Sequence, residues 1–165
     1  PNENIRSRSG TSYSLNLGLT VGKKNMLRPE IIYQQSGAKS IVNNAPVEWS
    51  LNYIGAGLGY LYTAIEKESF SLSPGFILNA NYMMNGEQMI GSNSYNITEQ
   101  DLLKPFDLVA SLTLNSRFKV TDNLYINFDY RYGFGLIDVE NVAGDENEKT
   151  RNMGHIASLG LSFNL

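Results

Sequence analysis

The sequence predicts an all-β fold, an antiparallel up-and-down β-barrel, and three observations carry that expectation. Seven segments alternate large apolar residues with small polar ones at period two, which sets successive side chains on opposite faces of a strand. The connections between these segments alternate short and long along the chain. The polar face is also dominated by serine, asparagine, glycine and threonine, small residue types that fit the cramped interior of a narrow barrel.

The runs are taken in chain order. In the first, Tyr13, Leu15, Leu17, Leu19 and Val21 alternate with Ser14, Asn16, Gly18 and Thr20. Leu27–Gln35 sets Leu27, Pro29, Ile31 and Tyr33 against Arg28, Glu30, Ile32 and Gln34. In Leu51–Thr63, Ile54, Ala56, Leu58, Tyr60 and Tyr62 oppose Tyr53, Gly55, Gly57, Gly59 and Leu61. Ser69–Tyr82 places Phe70, Leu72, Phe76, Leu78, Ala80 and Tyr82 opposite Ser71, Ser73, Gly75, Asn79 and Asn81. Phe106–Val120 opposes Leu108, Ala110, Leu112, Leu114 and Phe118 to Asp107, Ser111, Thr113, Asn115, Arg117 and Lys119. The sixth run opposes Leu124, Ile126, Phe128, Tyr130, Tyr132 and Phe134 to Asn127, Asp129, Arg131, Gly133 and Gly135. The last sets Ala157, Leu159, Leu161, Phe163 and Leu165 against Ser158, Gly160, Ser162 and Asn164.

Gly22–Met26, Ala64–Glu68 and Thr121–Asn123 are short and polar, whereas Ser36–Ser50, Met83–Pro105 and Asp138–Asn152 are long. Membrane barrels sort their connections this way, with short turns at one end and longer loops at the other. The apolar runs are long enough for a tilted strand to cross a hydrocarbon layer of roughly 25 Å. The expectation is therefore a transmembrane barrel, one domain over residues 1–165, embedded in a bacterial outer membrane. Eight strands are expected because single-chain bacterial barrels have even numbers. The loop order sends the Tyr13 run downward from the long-loop side, so a rising partner strand is expected upstream of Pro1. A soluble lipocalin-like binding barrel is the alternative, since its strands also alternate.

Composition narrows the chemistry. The chain of 165 residues is 42% hydrophobic, an average that conceals alternating faces. Cysteine is absent, which removes disulfides, thiolate metal sites and thiol catalysis. His155 is the single histidine, so a Ser-His-Asp triad or a multi-histidine metal site has little to build on. A net charge of −3 opposes a general nucleic-acid binder. No enzyme and no cofactor is expected.

Charged residues on the polar face are the candidate site: Arg28, Glu30, Asp107, Arg117, Asp129 and Arg131, with Lys119 beside them. Unpaired charge in a narrow interior is costly, so these are expected to form a polar network plugging the lumen. Tyr13, Tyr33, Trp49, Tyr60, Tyr62, Tyr82, Tyr130 and Tyr132 are candidates for interfacial aromatic girdles. The row Gly55, Gly57, Gly59 is expected either to pinch the barrel or to be filled by a neighbour such as Tyr125. The acidic loop carrying Asp138, Glu140, Asp145, Glu146 and Glu148 reads as solvated.

Four stretches carry a family resemblance: LRPEIIYQQSGAKS (Leu27–Ser40), LNYIGAGLGYLY (Leu51–Tyr62), SLSPGFILNANY (Ser71–Tyr82) and the closing HIASLGLSFNL (His155–Leu165). Together they resemble the outer-membrane β-barrel family of Bacteroidetes that includes PorT-like proteins. The resemblance implies eight strands with one preceding Tyr13, and it brings no catalytic residues. The glycines after Tyr53 replace a Pro-containing apolar segment common in that family. Leu161, Phe163 and Leu165 at alternate closing positions resemble the signal read by the barrel-assembly machinery. The expected partners are outer-membrane lipid, that machinery, and protein partners in an export or assembly complex. A narrow transport or ligand-binding barrel is the alternative role.

Overall fold

The computed structural model describes residues 6–42, 45–98, 103–139 and 151–163. Among these residues the strands are β1 (Arg6–Ser7), β2 (Ser12–Asn16), β3 (Leu19–Val21), β4 (Asn25–Val42), β5 (Ala45–Tyr62), β6 (Ile65–Lys67), β7 (Phe70–Ile90), β8 (Asn93–Asn96), β9 (Phe106–Lys119), β10 (Leu124–Gly135) and β11 (Met153–Phe163). All pairings are antiparallel and belong to one sheet in the order β1-β4-β5-β7-β9-β10-β11, with β2 and β3 also on β4 and β6 and β8 on β7. Although β4 and β10 are not neighbours in that order, Arg28 Nη1 reaches Asp129 Oδ2 at 2.6 Å. The sheet is therefore curled into a nearly closed barrel.

The seven alternating runs all become strands, and their faces fall as the alternation predicts. Leu112, Phe128 and Leu161 are 62%, 46% and 65% exposed. Thr113, Asn115 and Asp129, on the opposite face of the same strands, are buried. The large apolar side chains thus point away from the cylinder and the small polar ones into it.

Three boundaries differ from expectation. The first run breaks at Leu17–Gly18 into β2 and β3, and the Leu17 amide still donates to the Pro29 carbonyl at 3.0 Å. Ser36–Ser50, expected as a loop, is almost all strand: β4 and β5 stay paired from Asn25↔Tyr62 to Val42↔Ala45. Much of Met83–Pro105 is strand too, because β7 continues to Ile90 and β8 folds back along it through a turn with Gly91 at φ 59°. The Gly, Ser and Pro residues in these stretches read as turn signals, but pairing along a whole neighbouring strand overrides such local preferences. The expected eighth strand lies outside the described residues, as do Glu140, Asp145, Glu146, Glu148 and Leu165.

The extensions of β5 and β7 carry a second pattern. From Tyr62 back to Ile54, the outward face of β5 is Tyr, Tyr, Leu, Ala and Ile, and the inward face is Leu61 and glycines up to Tyr53. Beyond that point the polarity inverts. Asn52, Ser50 and Glu48 continue the outward face, while Leu51, Trp49 and Val47 continue the inward one. Leu51, Tyr53, Met83 and Ile97 form a buried apolar cluster with Trp49 and Leu103 packed against it. A β-bulge marks the changeover: Tyr53 pairs with Met83 but Asn52 pairs with Asn85, leaving Met84 as the extra residue. A bulge shifts the phase of the side chains that follow it, so Asn85 and Glu87 join the polar outward face. The eight residues from Gln35 to Val42 extend this second region by about 25 Å at ~3.3 Å per residue. Trp49, expected in an aromatic girdle, instead faces the inner cluster of this extension.

Candidate functional site

Positions 28 and 30 of β4 face positions 129 and 131 of β10 across the lumen, because each pair sits at alternate inward positions of its strand. The four side chains close an electroneutral ring. Arg131 makes a two-pronged contact with Glu30, Nη1 to Oε1 at 2.6 Å and Nη2 to Oε2 at 3.0 Å. Arg131 Nε also donates to Asp129 Oδ1 at 3.1 Å. Arg28 Nη1 donates to Asp129 Oδ2 at 2.6 Å, and its Nε lies 3.8 Å from Glu30 Oε2. Arg28, Glu30, Asp129 and Arg131 are only 3%, 4%, 6% and 4% exposed.

Neutral groups complete the carboxylates. Thr113 Oγ1 and Asn115 Nδ2 donate to Asp129 at 2.8 and 3.3 Å, and Asn79 Nδ2 donates to Glu30 Oε1 at 3.0 Å. Each acid therefore meets two cations and at least one neutral donor. Buried charge is tolerated only under such saturation. Thr113, Asn115 and Asn79 were on the polar face of the sequence pattern but not among its charged candidates. For the two on β9 the signal that could have found them is register: Asn115 lies beside Asp129 and Thr113 beside Arg131.

The glycine row makes the ring fit. A Cβ on Gly57 would overlap the Asn79 amide and approach Glu30 Cγ at 3.2 Å, and one on Gly55 would overlap the Asn81 amide. A Cβ on Gly59 would lie 3.1 Å from Ile77 Cγ1. The space is filled by Asn79, Asn81, Ile77 and Glu30, not by Tyr125 as the sequence suggested.

Two candidates stand apart from the ring. Asp107, 1% exposed, sits at the long-loop end of β9, where its Oδ2 accepts from Asn152 Nδ2 at 2.7 Å. The same amide donates to the Tyr53 hydroxyl at 3.4 Å. Arg117 lies toward the short-turn end with its guanidinium carbon 4.3 Å from the Tyr125 ring centroid. A vestibule of about 540 Å³ opens there, lined by Glu66, Glu68, Ser71, Arg117 and Tyr125 among others. Lys119 lies at the rim and pairs with Asp122 at 2.8 Å, a contact that lowers the Asp122 pKa and raises that of Lys119.

On the outward face, His155 sits against Tyr130 and Tyr132, with ring centroids 5.9 and 4.8 Å away, and its Nδ1 shares a hydrogen bond with the Tyr130 hydroxyl at 2.7 Å. Leu161 and Phe163 are exposed on the same face of β11. Compared with family models, curated proteins and solved structures, the chain matches none.

Proposed function

We propose that this protein is an integral β-barrel of a bacterial outer membrane whose lumen is closed, acting as a structural or accessory component, or as a subunit of an export or assembly complex. One observation carries the reading: a belt of exposed Leu, Ile, Phe and Tyr surrounds an ion-paired ring of buried charge. In water such a belt is unfavourable at about 25 cal/mol per Å² of apolar surface, while a hydrocarbon surround removes that penalty. A soluble lipocalin-like barrel would carry Leu112, Phe128 and Leu161 inside.

The ring between Arg28, Glu30, Asp129 and Arg131 opposes free passage of solutes. An interior of this size is filled by side chains or holds one small ligand. The resemblance to the PorT-like barrels of Bacteroidetes supports an accessory role without catalysis. Leu161 and Phe163 supply the outward apolar residues that the assembly machinery would read. The vestibule of about 540 Å³ favours a narrow ligand-binding barrel as the second reading, entered from the short-turn end.

Detergent-extracted protein should run faster on a gel unheated than boiled, as intact barrels do. In planar bilayers it should give no steady single-channel conductance. Loss of the heat shift sinks the membrane reading; steady channels sink the closed-lumen reading alone. Recovery of a stoichiometric protein partner in mild detergent supports the complex, and recovery of the barrel alone opposes it.

A further inference from the structure

The outward face of the extension holds a polar cleft just above the belt, and we propose that it binds the uncharged, hydroxyl-rich headgroup of a membrane glycolipid. This rests on the membrane reading above. The cleft measures about 370 Å³ and is lined by Ser50, Asn52, Asn85, Glu87, Ser94 and Asn96 together with the Gly86 backbone. These residues come from the facing strands β5, β7 and β8, whose register sets Asn52 against Asn85 and Ser50 and Asn96 against Glu87.

The lining chemistry selects among headgroups. Amides and hydroxyls both donate and accept, which suits sugar hydroxyls that do the same. Among the described lining residues Glu87 is the one that ionises, and Ser94 donates to it. The described lining residues include no lysine or arginine, so among them a phosphate would meet a carboxylate with no counter-charge. Lys39, on the same outward face, is engaged by Glu48 at 2.7 Å.

Position supplies the occupant. The cleft is continuous with the apolar belt, because Asn52 is two residues from the outward Ile54 and accepts from the Tyr33 hydroxyl at 3.2 Å. Tyr33 stacks on Tyr13 with ring centroids 6.4 Å apart, and Ile54 and Tyr82 lie in register beside it. An acyl chain on Ile31, Ile54 and Tyr82 would carry its headgroup directly into the amides. Free sugar lacks that second contact, so the lipid is the better fit.

The test uses the full chain in nanodiscs holding equal fractions of phosphatidylcholine, phosphatidylethanolamine, phosphatidylglycerol and digalactosyldiacylglycerol, with retained lipid read by native mass spectrometry. The galactolipid should be retained about tenfold over each phospholipid, the ratio that about 1.4 kcal/mol produces. The Asn52→Ala/Asn85→Ala double variant should lose that preference and Glu87→Gln should keep it. Equal retention of all four lipids overturns the inference, as does a preference surviving the double variant. Enrichment of phosphatidylethanolamine that Glu87→Gln abolishes overturns it in favour of an ammonium at Glu87. A chain that fails to enter the discs overturns the membrane reading and this inference together, whereas insertion without preference overturns this inference alone.

Discussion

The same three strands, β4, β5 and β7, build both the barrel and its extension, and along β5 the two regions have opposite polarity. In the barrel, β5 shows Ile54, Leu58, Tyr60 and Tyr62 to the outside and glycines to the inside. In the extension it shows Asn52, Ser50 and Glu48 outside and Leu51, Trp49 and Val47 inside. The backbone is continuous across the change, so the polarity reports the surroundings and not the fold. In the barrel the large apolar side chains point outward, whereas in the extension Leu51 and Trp49 pack with Tyr53, Met83 and Ile97. The bulge at Met84 lets β7 set Asn85 and Glu87 beside the outward Asn52 and Ser50 of its neighbour.

The comparison is broken most severely at the charge ring. Arg131→Met leaves Glu30 and Asp129 buried with Arg28 alone. Breaking a buried pair in this way costs about 3–5 kcal/mol, to be measured as a fall in the urea midpoint of vesicle-inserted protein. The Arg131→Met/Glu30→Met double variant should recover part of the loss. A loss below about 0.5 kcal/mol would mean that the ring is solvated and the lumen open.

Next comes Leu112→Arg, at the middle of β9 on the exposed belt. A lipid-facing arginine near the bilayer midplane costs about 2–4 kcal/mol, while in water an exposed Leu→Arg change stays within about 0.5 kcal/mol. The matching change on the extension, Ser50→Leu, should be near neutral, because that face already meets water. Equal effects at the two positions would erase the distinction between the regions.

Gly57→Val tests the packing that lets the ring close. Its Cβ would overlap the Asn79 amide, and overpacking of this kind costs about 1–3 kcal/mol. An unchanged midpoint would show that Asn79 yields freely.

The smallest effect belongs to the exposed Lys39–Glu48 pair on the extension. The hydrogen bond from Lys39 holds the Glu48 carboxyl below its ordinary pKa. The pair therefore contributes above the unfolded Glu value, and its contribution is lost as pH falls through the lowered folded value. Water and salt screen it, so Glu48→Gln should leave the urea midpoint unmoved. Carboxyl NMR should place the Glu48 midpoint below that of an ordinary glutamate, and Lys39→Met should move it back up.

Period-two alternation alone determined the strands of the barrel and which side of each faces out, because neighbouring side chains on an extended chain must point to opposite sides. It also placed Arg28, Glu30, Asp129 and Arg131 on the inner side. It could not say which inward charges meet, since Arg28 and Asp129 are 101 residues apart and only the curl of the sheet joins them. Asp107 and Arg117 share their inward side, yet they lie toward opposite ends of β9 and never reach the ring. The extension was equally hidden: Ser36–Val42 and Ala45–Ser50 look like loop until each has the other as a ladder partner. Local pattern decides direction, and the meeting of distant strands decides pairing, because contact energies between residues far apart in sequence exist only once the chain has closed.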